Sequence, residues 1–527
     1  MRIALKICAV ALSFVLLPTG AEFAVADDQA PVPSPTPVTS VAPDEVGASE
    51  QPTEATPASE PTDVTTPTSE PGEPSPAVSP SPSAQPSSAP VLPQAMPADV
   101  GTYRPGCDTL PARGMGEPVM VGAEPDLVGW TPVEGALFSN PNTPEGQWVV
   151  VNQMIRGFQA ARAGSTIHVA MYSTTRLEAS NAVVRAFCRG VNINWVTDDH
   201  GMGYQASQTL RDVLSLGYGS SFKACYLSCS SNYVWKTARL RVVTTVNPLY
   251  RPYMHAKYLT FDDLAGVPNV SMLSSGNFTT TQMIAGWNNI YTAVNDPATV
   301  TFLNNRFDEM VKDTTGNDYG RQFSSASPAK TSYFFPWGVK NPRSSKQTVT
   351  SKTDPYAHFL DSIKCTGAAA GYGTSKRRTQ VLVSMYQWSS SRLYLARRLK
   401  SLKNKGCDVR VLMSAGEWDL EVMPLLRARG GAGPIPIRNG DRHHTFIHSK
   451  YIIVNGRVGS NRRYKGVWTG SGNWTKSALR FSNESSILVT GDQAYNEFKA
   501  NWNELWSSKN SAAITKLKRK KTVKFDP

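Results

Sequence analysis

His255-Ala-Lys257-Tyr-Leu-Thr-Phe-Asp262 and His448-Ser-Lys450-Tyr-Ile-Ile-Val-Asn455 are two copies of one pattern. After a short apolar run each reaches a small-residue turn that ends in asparagine, Ser274-Ser275-Gly276-Asn277 and Gly470-Ser471-Gly472-Asn473. On a strand, residues i and i+2 point to the same face, so each His and Lys are expected to project together. The chain therefore presents one set of imidazole, ammonium and amide groups twice, and this duplication organises everything around it.

The repeat extends well beyond the two motifs. Thr166-Ile-His-Val-Ala-Met-Tyr172 matches Gln380-Val-Leu-Val-Ser-Met-Tyr386, and Phe138-Ser-Asn-Pro141 is echoed in Phe334-Phe-Pro336-Trp. Each half continues with an amphipathic helical stretch (176–189 and 390–405), then a second apolar strand beginning at Val191 or Val409. The His-x-Lys follows in a β-rich run, and a closing helix is predicted over 297–312 and 492–507. Strand–helix–strand alternation predicts an α/β fold with helices on both faces of a largely parallel sheet. Two such α-β-α sandwich lobes, related by a pseudo-twofold axis, would bring the paired motifs together at the seam. The spacing from Tyr172 to His255 exceeds that from Tyr386 to His448, which places an insertion in the first lobe around 220–239.

The flanks differ in composition. Met1 to Ala26 reads as a secretory signal, with Arg2 and Lys6 before an apolar stretch and Ala24-Val-Ala26 at the cleavage site. Residues 27–100, dominated by Pro, Ser, Thr, Ala and Glu, contain too little apolar surface to offset ordering entropy and read as a disordered spacer. The expected divisions are a first lobe over 101–315, a linker over 316–330, a second lobe over 331–510 and a basic tail over 511–527. The spacer holds eleven acids and no Lys or Arg; with it and the leader set aside, the total of +13 leaves about +23 for residues 101–527. Such a field favours polyanions: nucleic acid, anionic lipid surfaces or wall phosphates. Six cysteines remain beyond the leader, an even number suited to three disulfides in an exported protein. Cys225 and Cys229 are spaced to close a small loop, and Cys365 with Cys407 would staple the second half. No Cys-x-x-Cys pair supports a zinc site.

With these residues in view, the chain resembles the phospholipase D superfamily over roughly residues 130–508. The resemblance implies one active site shared by two lobes and a secreted phosphodiester hydrolase that needs no metal or cofactor. The implied catalytic residues are His255, Lys257, Asn277, His448, Lys450 and Asn473, with Asp262, Ser275, Ser471 and Glu484 in support. Lysines and amides would hold the phosphate, and one imidazole would attack phosphorus while the other protonates the leaving alcohol. By resemblance His255 is the nucleophile and His448 the acid/base, and an alcohol in place of water would give transphosphatidylation. The expected partner is a phospholipid surface, with nucleic acid or another polyanion as the alternative, and the chain is expected to act as a monomer without an obligatory protein partner. A non-catalytic binder of wall or membrane phosphates is the remaining alternative.

Two departures from the family pattern stand out. Asn455 replaces the acid that follows the second His-x-Lys. Glu484 supplies the downstream carboxylate of the second half and is expected behind His448, whereas Trp287-Asn-Asn289 in the first half has no acid. His255 is therefore expected to be held by an amide or a backbone carbonyl, with Asp262 beside it. His168 reads as a core histidine, and the Asp198-Asp199-His200 run as a strand end. His443 and His444 precede the second motif, and Phe278 and Trp474, each following a motif Asn, are expected to flank the cleft.

Overall fold

The structure is a computed structural model. It describes Arg104, Cys107 and residues 130–226, 228–229, 252–313, 320–326, 329–338, 348–414, 421–439, 445–508 and 511–513, all within the unit Ala89–Pro527. The leader, the spacer, His443, His444, residues 514–527 and most of the 220–239 insertion lie outside the described residues.

The first half contributes β1 (Gly135–Phe138), β2 (Thr166–Met171), β3 (Asn192–Asp198), β4 (Ser221–Cys225), β5 (Lys257–Leu264), β6 (Val267–Ser274), the short β7 (Gly286–Trp287) and β8 (Asn289–Ala293). All but β7 form one sheet in the order β1-β8-β6-β5-β2-β3-β4. The second half contributes β9 (Arg321–Ala326), β10 (Ala329–Phe335), β11 (Ile363–Lys364), β12 (Gln380–Met385), β13 (Asp408–Met413), β14 (Ile437–Asn439), β15 (Phe446–Ile447), β16 (Tyr451–Val458), β17 (Asn461–Gly470), β18 (Glu484–Thr490) and β19 (Ala512–Ala513). Its sheet runs β19-β14-β13-β12-β16-β17-β18-β10-β9. Read from β10 to β14, this is the strand order of the first sheet, so the repeat seen in the sequence is a repeat of topology.

The sheets are mixed, which corrects the expectation of largely parallel ones. Within the two large sheets only β2–β3–β4 and β12–β13–β14 pair in parallel, through helical crossovers, and the strands that follow each His-x-Lys pair antiparallel. The local cause is turn chemistry. Between β5 and β6, Ala265 and Gly266 both take positive φ (53° and 84°), the two-residue arrangement that folds a strand back on its neighbour.

Helices Pro144–Ala160 and Leu177–Cys188 bury Phe158 and Phe187 in the same apolar cluster as Ile167 and Phe261 of the first sheet. Helix Leu393–Asn404 does the same in the second half with Leu395 and Leu399. A third cluster joins the halves: Tyr258, Leu273 and Tyr291 meet Tyr451, Ile453 and Ile487, along with Phe302 and Phe498 of the closing helices Pro297–Lys312 and Asp492–Ser507. Tyr333 stacks on Trp468 at 4.1 Å and packs the start of the second lobe. Phe278 and Trp474 are fully buried in the two outer clusters and do not flank the cleft; the backbone bridges Thr174–Phe278 and Trp388–Trp474 pull both rings beneath the motif turns. The cysteines pair as Cys107–Cys188, Cys225–Cys229 and Cys365–Cys407.

Candidate active site

The two motifs meet because each lobe's His segment is stitched to the other lobe. In the first, Met254 bridges Asn483, with the His255 N–H donating to the Asn483 carbonyl at 2.9 Å and the Asn483 N–H returning to the Tyr253 carbonyl at 2.9 Å. In the second, β15 pairs in parallel with β7, and the N–H groups of His448 and Ser449 donate to the Trp287 carbonyl at 3.0 and 2.8 Å. Both histidines thus precede their strands rather than lying within them, because their backbone groups are taken by the partner lobe. Lys257 opens β5 and Lys450 stands just before β16; their ammonium groups reach back to the His255 and His448 carbonyls at 2.8 and 2.6 Å.

The supports cross between lobes, which corrects the expectation from the sequence. Glu484 holds His255, its carboxylate oxygens 3.0 and 2.9 Å from Nδ1, across a sequence separation of 229. His448 is held instead by the amide of Asn288, with Oδ1 2.8 Å from Nδ1. That amide's orientation is fixed, since its Nδ2 donates to the Gln282 carbonyl at 2.9 Å. The motif serines complete the two chains: Ser471 donates to Glu484 Oε2 at 2.5 Å, and Ser275 to Asn288 Oδ1 at 3.1 Å. Both imidazoles are thereby held with the proton on Nδ1 and Nε2 facing the site, where Nε2 of His448 lies 3.2 Å from the Lys450 ammonium. Asp262 is not beside His255. It is exposed on β5, accepting from the Thr166 and Asp263 N–H groups, since it stands five positions along the strand from Lys257, an odd offset that turns it to the other face. Asn455 likewise lies off the site, accepting from the Gly373 N–H at 2.9 Å and donating to the Tyr495 hydroxyl at 3.0 Å.

Electrostatics mark the site as a receptor for an anion. Lys257 and Lys450 are buried, at 0% and 3% exposure, and among the described residues neither lies within ion-pair distance of a carboxylate. Buried Lys330 shows the contrast, meeting Glu134 at 3.0 Å and Asp296 at 3.3 Å. An ammonium buried without a counter-ion is costly, so burial pushes Lys257 down to about 7, against the pull of Glu484 and Asp198. Lys450 is likewise held well below the usual lysine range by burial, with Lys257 adding to the fall. Burial brings His255 down to about 4, with Glu484 opposing and Lys257 and Lys450 reinforcing the shift. His448 is pushed well below its ordinary value by burial and by the positive charges of Lys450 and Lys257. Both amide atoms of buried Asn277 are also without hydrogen-bond partners among the described residues, while Asn473 meets Gln387 at 3.3 and 3.4 Å.

An anion placed between the lysines would reverse these shifts, raising the pKa of Lys257, Lys450 and His448. Binding of sulfate, an anion that does not itself titrate near neutral pH, is therefore expected to be accompanied by proton uptake near pH 7. Calorimetry in two buffers of different ionisation enthalpy measures this, and binding without uptake would contradict it.

Two flanking residues went unrecognised as part of the site. Tyr172 lies 4.9 Å from the His255 ring and Tyr386 4.7 Å from the His448 ring, with Lys257 and Lys450 at 5.0 and 5.1 Å over their faces. Their signal was the repeated Met-Tyr, whose Met ends β2 and β12 and whose Tyr follows. Tyr172 also stacks on His200 at 4.2 Å, and His200 Nδ1 is 2.9 Å from buried Asp198. Asp198 in turn accepts from the Met254 N–H at 2.9 Å, so the strand-end run buttresses the His255 segment. His168 packs on Phe307 at 4.9 Å, as expected for a core histidine.

A family model described as "Cardiolipin synthase, PLD-like domain" matches residues 155–311 and 375–506. Comparison with curated proteins gave no match. Among solved structures, polyphosphate kinase from Porphyromonas gingivalis aligns with TM-score 0.43 and 12% identity, over 71% of this chain and 51% of that one. Phosphatidylserine synthase from Haemophilus influenzae aligns with TM-score 0.43 and 11% identity, over 69% and 84%. Yeast tyrosyl-DNA phosphodiesterase aligns with TM-score 0.38 and 13% identity, over 68% and 90%.

Proposed function

The chain belongs to the phospholipase D-like family, whose members act on phosphodiesters, and from that premise we propose that it is an exported phospholipase D hydrolysing phospholipid headgroups to phosphatidic acid. The observation that carries the phosphodiester chemistry is the pair of buried, carboxylate-free lysines beside two imidazoles that are both held through Nδ1. The lysines and the Asn277 amide bind and neutralise the phosphate oxygens. His255 Nε2 attacks phosphorus, the bond to the headgroup oxygen breaks, and that oxygen takes the proton of His448, which the bound anion has charged. Water then attacks the phosphohistidine, giving its proton to His448, and the phosphorus–nitrogen bond electrons return to Nε2.

The crossed supports favour His255 as nucleophile. A carboxylate on Nδ1–H stabilises the positive charge that develops on an attacking imidazole, whereas the neutral amide on His448 leaves a weaker base and a better acid. Export is supported by the leader-like start and by three disulfides, which persist in oxidising compartments. Among the described residues no helix is long and apolar enough to cross a membrane.

The charge of about +23 on residues 101–527 favours one second reading, an extracellular nuclease. Purified protein offered phosphatidylcholine vesicles and single-stranded DNA in EDTA separates the two. Choline release with intact DNA is expected; DNA cleavage alone would replace the lipid reading with the nuclease one. If neither is cleaved, a phosphate binder is the better description.

A further inference from the structure

At the opposite end of β16 from Lys450 lies a concavity of about 490 Å³ whose lining includes Arg377, Arg462 and Arg463. It is built rather than incidental. The loop that carries Arg377 leaves the Cys365–Cys407 disulfide, and its backbone is tied to β17 by the Ala369 N–H donating to the Arg462 carbonyl at 2.8 Å. Its turn needs Gly373, which sits at φ 73° with space for no side chain, a Cβ there falling 2.3 Å from the Arg378 carbonyl. Asn455, the departure from the family pattern, holds this turn through the Gly373 N–H.

Two of the guanidinium groups are fixed by their inner nitrogens. Arg377 Nε donates to the Ala368 carbonyl at 2.8 Å and Arg462 Nε to the neighbouring Gly367 carbonyl at 2.7 Å. That leaves both terminal amino groups of each side chain for a ligand, in the planar fork that suits phosphate oxygens. Among the described residues none of the three arginines forms an ion pair with a carboxylate, and Asn455 brings none to the loop. With Arg377 and Arg462 oriented and Arg463 beside them on the same lining, they form a receptor for more than one negative charge.

We propose that this pocket is a second phosphate-binding site, separate from the catalytic one, that takes neighbouring phosphates of a linear phosphodiester polymer. The distance from the catalytic end suits a long flexible ligand. The strand β16 is eight residues long, so at about 3.4 Å per residue the pocket stands roughly 27 Å behind Lys450, at the other end of the sheet. A flexible polymer spans that distance, and one bound there holds the enzyme with its active site free.

The test compares Arg377→Gln/Arg462→Gln with the parent, both carrying His255→Ala so that no probe is cleaved or trapped. The probes are a 30-nucleotide thymidine strand, synthetic poly(glycerol phosphate), and phosphatidylcholine vesicles containing phosphatidylglycerol. For the DNA strand, affinity is expected to fall about tenfold, and the slope of log affinity against log salt to become shallower by about 1.4, at 0.7 per lost phosphate contact. A comparable loss confined to poly(glycerol phosphate) would identify that polymer as the source of the phosphates. Arg463→Gln, which disturbs no bond to the loop, should weaken the same binding two- to threefold, and with His255 intact it should leave hydrolysis of a small soluble diester within twofold of the parent. Unchanged binding of both polymers, or a loss seen only with vesicles, overturns the proposal.

Discussion

Alanine at His255 is expected to abolish turnover and all covalent labelling, whereas alanine at His448 should leave a protein that still becomes phosphorylated, slowly, on His255. The difference follows from the supports. His255 Nε2 is backed by Glu484 and needs no proton from elsewhere to attack phosphorus. His448 is required where an alkoxide leaves and where water is activated, steps in which a positioned acid or base contributes about a hundred- to ten-thousand-fold. With a nitrophenyl phosphodiester, whose leaving group departs unprotonated, His448→Ala should give a burst of one nitrophenolate per site followed by almost no turnover. Mass spectrometry then locates the adduct. An adduct on His448 in the His255→Ala protein would reverse the assignment, and near-normal turnover in either variant would remove the two-histidine mechanism altogether.

Glu484→Gln is expected to lower kcat/KM roughly a thousandfold, about 4 kcal/mol of transition-state stabilisation. The glutamine keeps the shape and still reaches Ser471, so the loss reports the missing charge behind His255. The corresponding change on the other side, Asn288→Ala, removes a neutral acceptor and should cost only about ten- to a hundredfold, the usual penalty for losing a partner that orients a functional histidine. Asn288→Asp gives the opposite sign on protonation: a carboxylate beside Nδ1 raises the pKa of His448 and should shift the alkaline limb of the pH–rate profile upward. Steady-state kinetics over pH distinguishes these outcomes. Equal losses at Glu484 and Asn288 would show that the two histidines are not differentiated by their supports.

Much of the molecule is legible in the chain itself. The doubled His-x-Lys and Asn turns name the site, because catalytic groups must stand at fixed offsets along a strand and its turn. The repeated Met-Tyr and the helical periods over 297–312 and 492–507 give the two equivalent lobes, and these helices run Pro297–Lys312 and Asp492–Ser507 in the structure. Local patterns also place the buried helix faces, which depend on spacing within a dozen residues. The antiparallel half of each sheet was not legible. An apolar run reads the same in either direction, and in the first sheet the turn that reverses it rests on two residues, Ala265 and Gly266.

What the sequence by itself determined is the inventory: two imidazoles, two ammonium groups, their asparagines, and a single carboxylate among the downstream supports. Only the tertiary structure decided whom that carboxylate serves. Proximity in the chain assigned Glu484 to His448 and Asp262 to His255, and both assignments fail. The lobes exchange backbone hydrogen bonds at Asn483 and Trp287, so each histidine sits in front of the other lobe's support, 229 residues away for Glu484 and 160 for Asn288. A hydrogen bond depends on a separation of about 3 Å in space, and no pattern along one half of the chain encodes the distance to the other.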